Sequence, residues 1–510
     1  MRRAVVNLAV AGTLAVGTIA IGSGANAMAA TVTLSPQNDI QTAVNANPAG
    51  TTFVLQPGTH RGNSVTSLRN GDSFIGQAGA VMDGAKVLNG WTQVIINGVV
   101  YWTTAGGTPL PTGSVGTSWC DPAFPACAYV QDLYVNGVEY THVISLANIV
   151  AGASWYYDFD GTDGGVVNNI YLAAGEGPLS KTVELGATSY AFQGTASNIT
   201  IKNLVIEKYA PQLSHAAVEA NGPGWLIQGN EVRLNHSTGI TAKPGAVNIQ
   251  VLGNNVHHNG GFGMGGPGSD GLWDSNTVTY NNTDGMDVGG GYGGGTKFTG
   301  DHVMVSNNIV HDNNGSGLWT DDGGTYITYN HNTSYNNFGD GIRYEISRYG
   351  TITNNVVYGN TNPSLAEIAY AGSDHGRIAG NTVVDFAGHG AIAVTNIVGS
   401  RPNSTETIYK VTDTQVTGNT IEILSGKRNT FEAGLIDHAQ PSQPSIFSDP
   451  TNFFNNNIYE FPHLSTSSWH WGETPAPLQV LSWSTWQANS QDMNGQVLVN
   501  VPGLGLNLPR

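Results

Sequence analysis

An Asn-x-Val/Ile step recurs along this chain at Asn203, Asn230, Asn254, Asn276, Asn307, Asn354, Asn381 and Asn419, with the weaker NTS at Asn332 between. Most neighbouring steps lie 22 to 27 residues apart, and intervals of 31 and 38 mark repeats that carry extra loop. Such a unit, for example TITNNVVYGN followed by RIAGNTVVDF, reads as two or three short strands separated by Asn, Gly and Asp turns. It is too small to bury its own apolar face, so it must stack on its neighbours. No window carries a useful 3.6-residue period, which excludes helical solenoids, and a propeller blade needs a longer unit. The repeat predicts an all-β fold: a single elongated parallel β-helix of about ten coils, with the asparagines stacked as a ladder at one corner.

Composition agrees with a packed solenoid. Charged residues are only 11% of the chain, apolar residues 40%, and glycine reaches 68 of 510. The net charge of −17 argues against nucleic acid or an anionic membrane as partner. Residues 1–29 read as an export signal: Arg2 and Arg3, an apolar run from Val5 to Ile21, then small residues suited to cleavage. No other stretch has the length and apolarity to span a bilayer. Cys120 and Cys127, the only cysteines, are predicted to pair in the oxidising compartment that export implies. In NDIQTAVNANPAG, Ile40, Ala43 and Val44 share a helical face that Asn38 or Asp39 can cap, covering the open end of the stack, and TTFVLQPG then begins the first strand.

Several segments together resemble the pectin-lyase-like right-handed parallel β-helix superfamily, in its secreted carbohydrate-active branch. They are the IQTAV…PGTTFVLQPGTHR entry, the GAVMDGA coil, the asparagine repeats and the closing LSWSTWQANSQDMNG. Between the early coils and the repeats, YVQDLYVNGVEYTHV and NNIYLAAG resemble the β-rich insertion of β-helix glycoside hydrolases. The expected organisation is therefore a signal peptide at 1–29, a cap and first coils at 30–86, an inserted β-rich region at 87–195, central repeats at 196–430, and C-terminal coils with a cap at 431–510. The superfamily includes hydrolases, lyases, epimerases and phage tailspikes, so the resemblance implies a fold more than a reaction.

Chemistry is sought on the outward faces. Aligning GSGLWTDDGG with FGDGIRYEIS stacks Leu318 on Ile342, Trp319 on Arg343 and Asp321 on Glu345. Ile240, Met264, Met286, Leu318 and Ile342 then form an inward column, which turns Asp287, Trp319, Asp321, Arg343 and Glu345 outward. Aligning LAEIAY on the next coil adds Glu367 to the column of Arg343. Carboxylates one coil apart raise each other's proton affinity, the condition for one to protonate a glycosidic oxygen while the other attacks or activates water. Asp321 and Glu345 are the expected catalytic pair with Asp287 assisting. Trp319 is expected to stack on a sugar and Arg343 and Glu367 to hold its polar groups, while Tyr292 and Lys297 wall the cleft from the insertion Gly289 to Asp301.

Asp322 is expected to cap a turn. His257, His258, His311, His331, His375 and His389 read as scattered turn or surface residues, with His389 nearest the cluster, and Trp469, Trp471, Trp483 and Trp486 as packing of the C-terminal cap. No metal and no cofactor is expected: Asp and Glu clusters suit calcium, but no EF-hand-like loop or glycine-aspartate nonapeptide repeat encodes a site. The function expected first is a secreted enzyme hydrolysing a polysaccharide or oligosaccharide. A lyase or uronate epimerase of the same fold comes second, and a non-catalytic carbohydrate- or surface-binding solenoid third.

Overall fold

The structure, a computed structural model, describes residues 30–110, 119–286, 291–361, 366–386, 390–397, 411–423, 433–437, 446–461, 468–473 and 479–499. The proposed export signal, Asp287 and His389 lie outside them. Three long sheets of 13, 12 and 13 strands run the length of the described chain. The stack is thus longer than the expected ten coils, because coils without the asparagine motif lie at both ends.

Each coil contributes one short strand to each sheet, paired in parallel with its counterpart in the next coil, except that the last strand of the second sheet, Gln479–Leu481, runs antiparallel to Trp469–Glu473. Ile227, Val251, Trp273, Val305, Tyr329, Ile352 and Ile378 form one continuous inner column on the first sheet. All are at most 1% exposed. Burying each such side chain contributes roughly 1.5–3 kcal/mol, which a lone coil cannot collect.

The corners carry two asparagine ladders rather than one. The first runs through Asn230, Asn254, Asn276, Asn308, Asn332, Asn355, Asn381, Asn419 and Asn457. The second links Asn235, Asn259, Asn281, Asn313, Asn337 and Asn360. At each step one amide oxygen accepts from both the backbone N–H and the side-chain amide of the preceding asparagine, as Asn332 does from Asn308. Asn203, Asn307 and Asn354 are not rungs. They hold the left-handed turn conformation, with φ of 56°, 55° and 56°.

Both ladders end on a buried carboxylate. Asp492 closes the first, accepting from Asn457, from the Tyr459 hydroxyl and from the Trp486 indole of the C-terminal helix Trp483–Ala488. Glu367 closes the second by accepting both donors of Asn360. At the other end the helix Ile40–Ala46 is capped by Asp39 and buries Ile40 and Val44, as the sequence predicts. The first strand, however, is Thr31–Leu34, ahead of this helix, and it pairs with Thr52–Leu55.

Between Asp83 and Phe192 the chain leaves the stack. An eight-stranded sheet runs from Ala85–Val87 to Val183–Gly186 and encloses its own cores, one around Trp155 and Tyr157 and another around Tyr101 and Tyr171. Cys120 and Cys127 are disulfide-bonded within it, as expected. At the far end Trp469 and Trp486 are fully buried, with Trp471 and Trp483 packed against them, which bears out the packing reading. Among the described residues no helix is long and apolar enough to cross a membrane.

Candidate functional site

Leu318 pairs with Ile342, Trp319 with Arg343 and Thr320 with Tyr344, so the 24-residue alignment holds and Asp321 and Glu345 follow in register on one outward face. One coil earlier the register differs from expectation. Met264 pairs with Thr296 and Gly265 with Lys297, because GGTKF forms the coil's strand, Gly294–Phe298. Thr296 therefore takes the inward place expected for Met286, and Lys297 the outward place expected for Asp287. Met286 instead bridges to Cys120 of the inserted unit.

Each carboxylate of the pair has its own cation. Lys297 Nζ lies 2.9 Å from Asp321 Oδ2, and Arg343 lies 2.7 Å from Glu345 Oε1. Arg343 also faces Asp340 at 3.7 Å. Burial works against its charge, but Glu345 and Asp340 outweigh it and lift its pKa above the ordinary arginine value. The two cations flank one indole: Lys297 Nζ is 4.5 Å and the Arg343 guanidinium 5.0 Å from the Trp319 ring centroid. Trp319 is only 2% exposed. It is a buried positioning group for the two cations, not the open sugar platform expected, because charged side chains and Phe262 cover it.

Glu367 does not join this face. Ile342 pairs with Ile368 and Arg343 with Ala369, so Glu367 falls opposite Gly341 at the corner before the strand, where it is the ladder's terminal acceptor. Burial first, then Asp385 and Asp340, raise its pKa well above the usual carboxylate value against the pull of Asn360. Its proton is therefore bound more tightly in the folded chain than in the unfolded one. The stability this supplies is full below the unfolded glutamate range and is lost as pH rises through the folded pKa. Glu367→Gln should consequently gain in melting temperature relative to the native chain between pH 4 and pH 8. A difference independent of pH would contradict a neutral, ladder-closing Glu367.

A cavity of about 470 Å³ opens beside Asp321, lined also by Asp322, Lys297, Tyr292 and Lys243 but not by Glu345. Gly265 and Gly266 line it too, with φ of 151° and 116°. A Cβ at Gly265 would collide with the Lys297 backbone, and one at Gly266 with the Ala242 carbonyl, so side chains are excluded there and the space stays open. Tyr292 is held edge-on by Trp119 of the inserted unit, ring centroids 4.9 Å apart. Asp322 sits exposed in the following turn at φ 63°, in keeping with the turn role expected of it.

The histidines are more ordered than the sequence suggests. His258, Tyr280, His311, Tyr335 and Tyr358 stack along one edge, and His302, Tyr326, Tyr349 and His375 along another. Successive coils present them at the same corner, and their faces are spent on each other.

A second cluster escaped the sequence reading. Asp132 comes from the inserted unit, His236 follows ladder residue Asn235, and Asp284 lies in the turn before Gly294–Phe298. All three are buried. His236 Nδ1 lies 3.2 Å from both Asp132 oxygens and 2.8 Å from Asp284 Oδ2. Burial opposes a charge on His236, but Asp132 and Asp284 together raise its pKa above the ordinary imidazole value. Burial, then Asp284, raises that of Asp132. Beside them Glu139 and His142 line a cavity of about 400 Å³. Desolvation raises Glu139 well above the carboxylate range and lowers His142 to about 3.

Against known proteins, the family described as "Right handed beta helix region" matches residues 216–383. XylC, solved in complex with xylose, superposes with a TM-score of 0.61 at 14% identity, over 92% of this chain and 86% of XylC. The A-module of a mannuronan C-5 epimerase from Azotobacter vinelandii gives 0.49 at 13% identity, over 91% and 93%. A GH87 α-1,3-glucanase from Streptomyces thermodiastaticus gives 0.38 at 10%, over 94% and 69%. No curated protein is significantly similar to the chain in sequence. The parallel coils, the matching repeat region and the XylC superposition together make this chain a right-handed parallel β-helix.

Proposed function

We propose that the protein is a secreted carbohydrate-active enzyme that hydrolyses glycosidic bonds, with Asp321 and Glu345 as its working carboxylates. The observation that carries this reading is their register: two carboxylates on adjacent coils, each with its own cation, the first of them lining a cavity kept open by glycine. Glycosidic cleavage needs one carboxyl to protonate the leaving oxygen and a second to attack the anomeric carbon or activate water. Lys297 and Arg343 hold the two groups at fixed positions, and Tyr292 offers an aromatic edge and a hydroxyl to a bound sugar. XylC, of the same fold, is solved with xylose. The disulfide and the positively charged, apolar start of the chain support export.

The test is a panel of plant, algal and microbial polysaccharides and oligosaccharides with products read by mass. Hydrolysis adds one water per bond broken. An unsaturated product with new ultraviolet absorbance would replace this reading with a lyase, and no product from any member would favour a binding solenoid.

A further inference from the structure

We propose that Asp132, His236 and Asp284 bind one divalent transition-metal ion of the zinc class, joining the inserted unit to the β-helix. The three residues are 8%, 1% and 7% exposed and are drawn from segments far apart in sequence. Their ligand atoms lie within 4.8 Å of one another. Zinc takes nitrogen and oxygen ligands at about 2.0–2.2 Å, which sets neighbouring ligand atoms roughly 3 Å apart. The observed 2.8 and 3.2 Å separations match that spacing.

Hydrogen bonding alone leaves the cluster unsatisfied. Asp284 Oδ2 lies 2.8 Å from His236 Nδ1 without the alignment of a hydrogen bond, and Glu139 is the other side chain that reaches the Asp284 carboxylate. A single Nδ1–H cannot point at three oxygens, whereas a cation accepts all of them together with the ring nitrogen's lone pair. A buried carboxylate oxygen without a donor costs about 1–3 kcal/mol or more, and a bound cation removes that cost. An imidazole with carboxylates selects a zinc-like ion over calcium, which prefers oxygen ligands throughout. Glu139 lines the same cavity as the three residues.

The decisive measurement is calorimetric titration of the chelator-stripped, full-length protein with Zn²⁺ and, separately, with Ca²⁺. One saturable Zn²⁺ site per chain is expected, with Ca²⁺ at least tenfold weaker. Asp284→Asn should weaken Zn²⁺ by more than the roughly 10–100-fold that losing an outer partner costs. Asp132→Asn, on the inserted unit, should do the same and serves if Asp284→Asn does not fold. His257→Ala should leave binding intact, since that histidine lies on the adjoining surface. Absent or non-saturable Zn²⁺ uptake, Ca²⁺ binding as tight as Zn²⁺, unchanged affinity in both aspartate variants, or loss on His257→Ala would each overturn the site.

Discussion

Asp321→Asn and Glu345→Gln should each lower turnover by about 10²–10⁴-fold, the range that one positioned acid or base supplies. Both substitutions keep shape and hydrogen-bonding capacity while removing the proton or charge that the reaction uses. Stability should fall by less. Lys297 keeps the Gly291 carbonyl and its place on the cavity wall, and Arg343 keeps Asp340. The pairs are largely buried, but the isosteric amides keep a hydrogen bond to each cation, so the cost should stay within about 1–3 kcal/mol. Turnover measured on the best substrate of the panel, beside melting temperature, separates the two roles. Native turnover in both variants would remove the pair from the chemistry, and a large loss of stability at unchanged turnover would make it a charge network.

The largest effect on stability is expected one residue away from an apparently equivalent position. Asn308 is fully buried and accepts from Asn276 through two bonds of 2.9 Å. It also donates to Asn332 and to the Trp273 carbonyl. Asn308→Ala strands donors and acceptors on both neighbouring coils, each costing about 1–3 kcal/mol, for a total near ~4 kcal/mol. Asn307 is exposed and serves its turn by adopting positive φ. Asn307→Gly should therefore change stability by about 1 kcal/mol or less. Thermal unfolding of the two variants decides it. Similar melting temperatures would mean that the ladder adds little to what the inner apolar column already supplies.

That pair also shows where sequence reading stops. The NN doublets place a turn residue and a rung side by side, and a one-residue pattern cannot tell which amide enters the corner; the pattern therefore points to one ladder where two exist, and to Asn307 and Asn354 in place of the rungs Asn308 and Asn355. The stacking of Asp321 on Glu345 was legible because both flank regular apolar positions in uninterrupted repeats. Thr296 broke that cue: a threonine fills the inward place in a strand rich in glycine, so Met286 was the more persuasive candidate. Glu367 is misplaced by the LAEIAY alignment because Ile342 pairs with Ile368, two residues later than that alignment puts it. Asp132, His236 and Asp284 had no local signal, being 104 and 48 residues apart and united only by docking of the inserted unit.

The way that unit joins the stack gives the molecule a division of labour. Val81 pairs directly with Val205 and Phe74 with Ile201, as though nothing intervened. The departing strand Ala85–Val87 and the returning strand Val183–Gly186 run side by side. Entrance and exit are thus neighbours, and no coil has to shift to accommodate whatever hangs between them. The appendage can lengthen, shrink or change its loops while the carboxylates on the solenoid keep their spacing. Tyr292 and the cluster at His236 both lean on it. The chain can accordingly retune the shape of its pocket from the outside, through a graft, while the proposed working carboxylates stay on a scaffold whose spacing the coil repeat dictates.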